Sequence, residues 1–230
     1  MTETNWREVA VLALFWLVYF AMHSVLASLH VKRWVALRYP ARMPIYRLGF
    51  NMLALIMLLP ILWLMLRHPG PMLWSWQGPG AWLANGLAVA AVLAFIMSLK
   101  HYDAQEFIGW RQWTSHTRRV EDQEGFHLSP FHRHVRHPWY FFSLILIWTR
   151  DMSAAMLISG VMMTIYFIIG SRLEETKLLI YHGEVYRTYM KRVPGLLPLP
   201  WKSLTAKEAA ALVKAAERHP ARKHDSESVN

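Results

Sequence analysis

Three short stretches concentrate the residue types that do chemistry. Residues 131–140, FHRHVRHPWY, hold His132, His134 and His137 with Arg133 and Arg136, directly ahead of an apolar run. Residues 172–177, RLEETK, set Glu174 and Glu175 side by side where the following apolar run ends. Residues 181–194, YHGEVYRTYMKRVP, add Tyr186 and Tyr189. If the two apolar runs fold into a hairpin, the start of one and the end of the other meet at one membrane face. Guanidinium and imidazole groups then face a carboxylate pair, a set that suits a zwitterionic ligand carrying both a carboxylate and an ammonium. Clustered titratable groups mark sites only as a statistical tendency. Arginine and histidine ahead of a spanning helix also serve as interfacial anchors, and Glu174, Glu175 and Lys177 read equally as a solvated helix end.

The elements that must position these residues are apolar and long. Residues 9–29 contain no charge. Residues 48–66 form a second run, in which Pro60 is tolerable because neighbouring membrane helices satisfy a freed carbonyl. Residues 81–99 form a third, after a Gly-Pro-Gly turn. Residues 100–136 are polar and contain no candidate span. Residues 139–149 are apolar but cover only about 16 Å as helix, short of a core of about 30 Å. Arg150 and Asp151 interrupt them before residues 152–170 resume. Either that helix begins earlier, near Pro138, and is submerged by its neighbours, or the pair is a re-entrant hairpin. The expected fold is all-α and integral to the membrane, with about five transmembrane helices, the last two forming a hairpin. Residues 1–201 make one domain. Residues 202–230 make a basic cytoplasmic tail, a short capped helix followed by a disordered stretch.

The basic residues give the orientation. The chain has 25 Lys and Arg. Five lie in residues 30–47, six in residues 100–136 and eleven after Gly170; only Arg7, Arg67 and Arg150 lie elsewhere. With five spans the three basic regions share one face, so the positive-inside rule puts the amino terminus outside and the carboxyl terminus in the cytoplasm. A bacterial inner membrane is the expected location. The first residues lack a basic stretch and a small-residue cleavage site, so the first run reads as a retained anchor. Composition agrees: 54% of residues are hydrophobic and 17% charged, against about 25% charged in soluble domains. A formal charge of +10 would suggest nucleic acid in a soluble protein. Here the basic residues flank apolar spans and meet anionic lipid headgroups, so membrane lipids, and no nucleic acid, are the expected partners. The absence of cysteine excludes disulfides, thiolate metal sites and a cysteine nucleophile.

His23 lies deep in the first run and His101 at the end of the third. Ionisable residues inside a membrane are functional candidates, and two helical histidines could ligate a haem or metal. The plainer reading is an interhelical hydrogen bond from His23 through Ser24 or a carbonyl.

The order of these motifs resembles the isoprenylcysteine carboxyl methyltransferase superfamily. Arg136-His137-Pro138-Trp139-Tyr140 is followed by a hydrophobic hairpin, Glu174-Glu175-Thr176-Lys177-Leu178, the pair Tyr186 and Tyr189, then Val193-Pro194. Upstream, His23-Ser24, Tyr46-Arg47 with Asn51, and DAQEFIGWRQ at residues 103–112 resemble the branch that contains methanethiol S-methyltransferase and NnrU-like proteins. The resemblance covers roughly residues 10–200 and implies a membrane methyltransferase with a cytoplasmic pocket for S-adenosylmethionine. It implies that the pocket is built from His132, His137, Pro138, Tyr140, Glu174, Glu175, Tyr186 and Tyr189. Glu174 would hold the amino-acid moiety and Glu175 would brace. His137 and Arg136 are the implied catalytic pair, Arg136 as carboxylate partner or as anchor, with no metal. Where the family has G-x-Y before the Arg-His-Pro, this chain has Pro130-Phe131-His132. Gly170 stands where the prenylcysteine enzymes carry an arginine, which implies a small or lipophilic acceptor, a thiol such as methanethiol. The alternatives are a non-catalytic or redox-accessory NnrU-like protein with a histidine-bound cofactor, and a membrane reductase binding a nicotinamide.

Overall fold

Long charge-free stretches with few helix breakers fold as helices because, in lipid, only intra-segment hydrogen bonds satisfy the backbone. The computed structural model describes residues 6–117, 120 and 126–218. Arg118, Arg119 and the stretch expected to be disordered, 219–230, lie outside the described residues. Among the described residues four helices are long and apolar enough to cross a membrane: α1 (Trp6–Ala27), α3 (Met43–Arg67), α4 (Gly78–Leu99) and α8 (Ala154–Arg192). The chain is an all-α integral membrane protein. Between α1 and α3 lies the short α2 (Leu29–Arg38), and after α4 come α5 (Ala104–Ile108) and α6 (Trp110–Thr114). The fifth apolar run is α7 (Pro138–Trp148), eleven residues beginning at Pro138. A final helix, α9 (Ala206–Arg218), follows α8.

The first run is a single helix as far as Ala27; Ser28 ends it and caps α2, its hydroxyl donating to the Val25 carbonyl (2.6 Å) and accepting from the Val31 amide (3.3 Å). The connections also carry a two-stranded antiparallel ribbon, β1 (Met72–Trp74) with β2 (Met152–Ser153). Asp151 ties this turn by accepting from the Trp76 amide at 2.9 Å.

The chain divides into two compact units, Met1–Asp122 with Leu144–Tyr166, and Gln123–Ser143 with Phe167–Asn230. In the first, Leu12 and Trp16 of α1, Ile61 of α3 and Ala155 of α8 form the buried centre. Trp16 donates to Ser159 at 2.9 Å. The outward faces of the spans stay apolar, with Leu14, Leu17, Leu55 and Leu59 exposed, as helices solvated by lipid require. In the second unit Tyr186, Tyr189, Val193, Leu204 and Ala209 form the core. Within each unit α7 and α8 run antiparallel. Trp148 donates to Thr164 (3.1 Å) in the first, and Tyr140 stacks on Phe167 (4.7 Å) in the second.

Helix α8 is not continuous to Arg192: Gly183, at φ 52° and ψ −128°, breaks it. The part before the break is still longer than the roughly 20 residues that a hydrocarbon core requires.

Candidate functional site

The site is built at the amino terminus of α7, which begins at Pro138. Proline suits the first helical position because its missing N–H would have no partner there. The two preceding amides are satisfied from elsewhere: Arg136 N–H donates to the Pro194 carbonyl (2.8 Å) and His137 N–H to the Gly195 carbonyl (3.1 Å). The chain that follows α8 therefore returns to fix Arg136 and His137. Gly195 is needed close by, since a Cβ there would lie 3.3 Å from Arg136 Nη2.

Glu174 and Glu175 come to this corner from α8. Arg136 grips Glu175 Oε1 with Nε at 2.8 Å and Nη2 at 2.7 Å. Its remaining Nη1 donates to the carbonyls of Met190 (3.0 Å) and Val193. Four of the five guanidinium N–H groups are committed in this way. His137 Nε2 lies 2.9 Å from Glu175 Oε1, and Nδ1 lies 3.4 Å from Glu174 Oε2. The Tyr140 hydroxyl donates to the same Glu174 oxygen at 3.3 Å, and its ring lies between those of His137 (5.4 Å) and Phe167 (4.7 Å).

Burial separates the two carboxylates. The side chains of Glu175, Arg136 and His137 are 10%, 12% and 5% exposed, whereas that of Glu174 is 49% exposed. Glu175 is thus the internal counter-ion and Glu174 the open one. Burial pulls the His137 imidazole towards neutrality, but hydrogen bonds and charge from Glu174 and Glu175 outweigh it, and its pKa is raised. The raised pKa favours the imidazolium, in which both ring N–H groups face carboxylates.

The hairpin thus brings Arg136, His137, Pro138, Tyr140, Glu174 and Glu175 together. The other expected site residues sit behind them. Tyr186 and Tyr189 are each 2% exposed within the core, and the Tyr189 hydroxyl donates to the His132 carbonyl (2.6 Å). The His132 ring closes the turn 130–133, its Nδ1 2.8 Å from Ser129 Oγ. Phe167, on which Tyr140 stacks, was missed from sequence. The available signal was spacing: Phe167 lies seven residues before Glu174, on the same face of a helix.

The upstream motif at residues 103–112 is accounted for by structure within the first unit. Asp103 caps α5 by accepting from the amides of Gln105 (3.0 Å) and Glu106 (3.1 Å), and Arg111 pairs with Asp103. Arg47 and Asn51 of α3 donate to the closing carbonyls Phe107 and Ile108 of α5. Also in that unit, His23 Nδ1 lies 2.7 Å from the Tyr166 hydroxyl, which Ser24 also approaches at 3.4 Å. The plainer reading's interhelical hydrogen bond is present, but its partner at Nδ1 is the Tyr166 hydroxyl of α8 and not Ser24 or a carbonyl. Among the described residues no group of three or more His, Asp or Glu is placed to hold a metal ion.

Known proteins resemble the chain over most of its length. It is 30% identical over 194 residues to a methanethiol S-methyltransferase of a Pseudomonas species, covering 79% of this chain and 70% of that protein. It is 30% identical over 200 residues to methanethiol S-methyltransferase 2 of Bradyrhizobium diazoefficiens, 86% of this chain and 76% of that one. Methanethiol S-methyltransferase of Mycobacterium tuberculosis is 29% identical over 192 residues, 80% and 75% of the two chains. No protein-family profile matches the chain, and no solved structure matches it.

Proposed function

The chain belongs to the methanethiol S-methyltransferase family, and from that premise we propose that it transfers a methyl group from S-adenosylmethionine to the sulfur of a small neutral thiol such as methanethiol. Beyond the family, one observation carries this reading: Glu174 is a half-exposed carboxylate held in place by His137 and Tyr140.

That donor set fits the amino-acid end of S-adenosylmethionine. An exposed, oriented carboxylate accepts hydrogen bonds from an ammonium, and charge-assisted bonds of this kind are about twice as strong as neutral ones. Glu174 would hold the ammonium. Tyr140 keeps the Glu174 carboxylate oriented, and the His137 imidazolium leaves a positive charge nearby for the ligand's carboxylate. Glu175 and Arg136 hold His137 in place and do not touch the ligand. Bound S-adenosylmethionine supplies a methyl group on a sulfonium, already activated for in-line displacement. The protein's own part is then orientation and exclusion of water, which can supply several kcal/mol of the barrier. The thiol gives its proton to water before attack, because the thiolate is the nucleophile. With both ring nitrogens facing carboxylates, His137 is not the group that takes it.

The same reading has five spans, α7 being the short fourth, with the amino terminus outside and the carboxyl terminus and pocket on the cytoplasmic face. The split of basic residues supports it. Titration calorimetry of the detergent-purified protein with S-adenosylmethionine and its demethylated product tests the pocket. Saturable one-to-one binding of both is expected, and no binding of either would refute the reading.

A further inference from the structure

The connection between α1 and α3 carries a surface that methyl transfer does not use. Helix α2 has ten residues, about 15 Å, too short to span. Because it joins two spans, it lies where chain leaves lipid for water. Its exposed side mixes two kinds of residue. Leu37 is 86% and Trp34 55% exposed, beside exposed Arg33, Arg38 and Arg42. In bulk water such apolar exposure is unfavourable; at a bilayer face it is not. Leucine and tryptophan enter the acyl boundary there while arginine stems reach up to the phosphates.

The arginines are organised, not scattered. Helix α2 ends at Tyr39, and Pro40 opens a single tight turn, Pro40–Arg42. Arg38 and Arg42 each hold their guanidinium carbon 5.4 Å from the centroid of the Tyr39 ring. Trp34 packs edge-on against the same ring at 5.7 Å. Two like charges gathered on one aromatic ring repel unless an anion lies near them, and the neighbouring sequence supplies none. No Asp or Glu occurs between Glu8 and Asp103. Among the described residues neither Arg38 nor Arg42 is paired with a carboxylate. Guanidinium is the side chain best matched to phosphate oxygens, which it meets bidentately.

We propose that the α2 corner, Trp34, Leu37, Arg38, Tyr39 and Arg42, binds the headgroup of an anionic phospholipid. Arg38 and Arg42 take the phosphodiester, and Trp34 and Leu37 pack against the glycerol and upper acyl chain. The apolar pair is what favours a lipid over a soluble phosphate, which would make no use of it. The site is independent of the acceptor assigned above.

Native mass spectrometry of the full chain, delipidated in detergent and titrated with phosphatidylglycerol or phosphatidylcholine, reads this directly. The wild type should retain phosphatidylglycerol in preference. The Arg38→Gln/Arg42→Gln variant should lose that preference by about tenfold or more, from the typical contribution of two basic residues at an anionic surface. Arg67→Gln, at the other end of α3, should keep it. Unchanged retention in the double variant would overturn the site. So would an equal loss in Arg67→Gln, which would mark a general charge effect. Displacement of the lipid by millimolar glycerol phosphate would overturn the lipid assignment in favour of a soluble phosphate.

Discussion

His137 faces carboxylates through both ring nitrogens, Glu175 at 2.9 Å and Glu174 at 3.4 Å, and everything expected of the site at residue scale follows from that arrangement. Its pKa is raised despite burial, so its contribution to stability is complete below the ordinary histidine value of about 6.5 and is lost as pH rises through the raised value. Thermal unfolding should therefore show wild-type stability falling over that window, and His137→Gln should flatten the fall; the same pH slope in both would contradict the assignment. Removing either member of the Arg136–Glu175 pair leaves a buried unpaired charge, which costs about 3–5 kcal/mol. Glu175→Gln should accordingly lower the melting temperature sharply. Glu174→Gln should behave differently. It should leave melting nearly unchanged while weakening calorimetric binding of the demethylated cofactor by about tenfold or more, the worth of one charge-assisted hydrogen bond. Unaltered affinity would remove Glu174 from the pocket.

At the scale of elements, short corners carry as much constraint as the long spans. Gly109 joins α5 to α6 at φ 96°, and a Cβ there would lie 2.7 Å from the Leu48 amide nitrogen. Gly109→Ala should destabilise the protein by at least about 1 kcal/mol, the cost of a left-handed residue with a side chain, read as a lower melting temperature in detergent; an unshifted melt would mean the α3 contact gives way freely. In α9 the Thr205 hydroxyl accepts from the Glu208 amide (3.2 Å), and Glu208 accepts from the Thr205 amide (2.8 Å). The hydroxyl cap expected ahead of this helix is that of Thr205; the return bond from Glu208 was not read from the sequence. The spans were legible because charge-free runs in lipid have one solution, and the meeting of the Arg136 and Glu174 segments followed from hairpin geometry. What escaped the sequence is non-local. That Arg136 is engaged by Glu175, Met190 and Val193 depends on how α8 ends, and nothing in residues 131–140 announces it.

The whole molecule is an all-α membrane protein of a thiol methyltransferase family with an open carboxylate, Glu174, beside the start of α7. The orientation it adopts is testable by reporter fusions at Arg38, Gly70 and after Lys202. Cytoplasmic signals are expected at Arg38 and Lys202 and an external one at Gly70; a cytoplasmic signal at Gly70 would reverse the face on which the pocket opens. Acceptor choice follows from charge. Arg136 is already spent on Glu175 and backbone carbonyls, and Gly170 places no side chain beside the Tyr140 hydroxyl 3.8 Å away. Burying a substrate carboxylate without a partner is costly, whereas a small thiol enters neutral. The direct measurement is gas chromatography of the headspace above purified protein supplied with S-adenosylmethionine and methanethiol, with a prenylcysteine analogue assayed in parallel. Dimethyl sulfide should form, faster as pH rises towards the ionisation of the thiol. Methyl ester on the prenylcysteine carboxylate with no dimethyl sulfide would contradict the account.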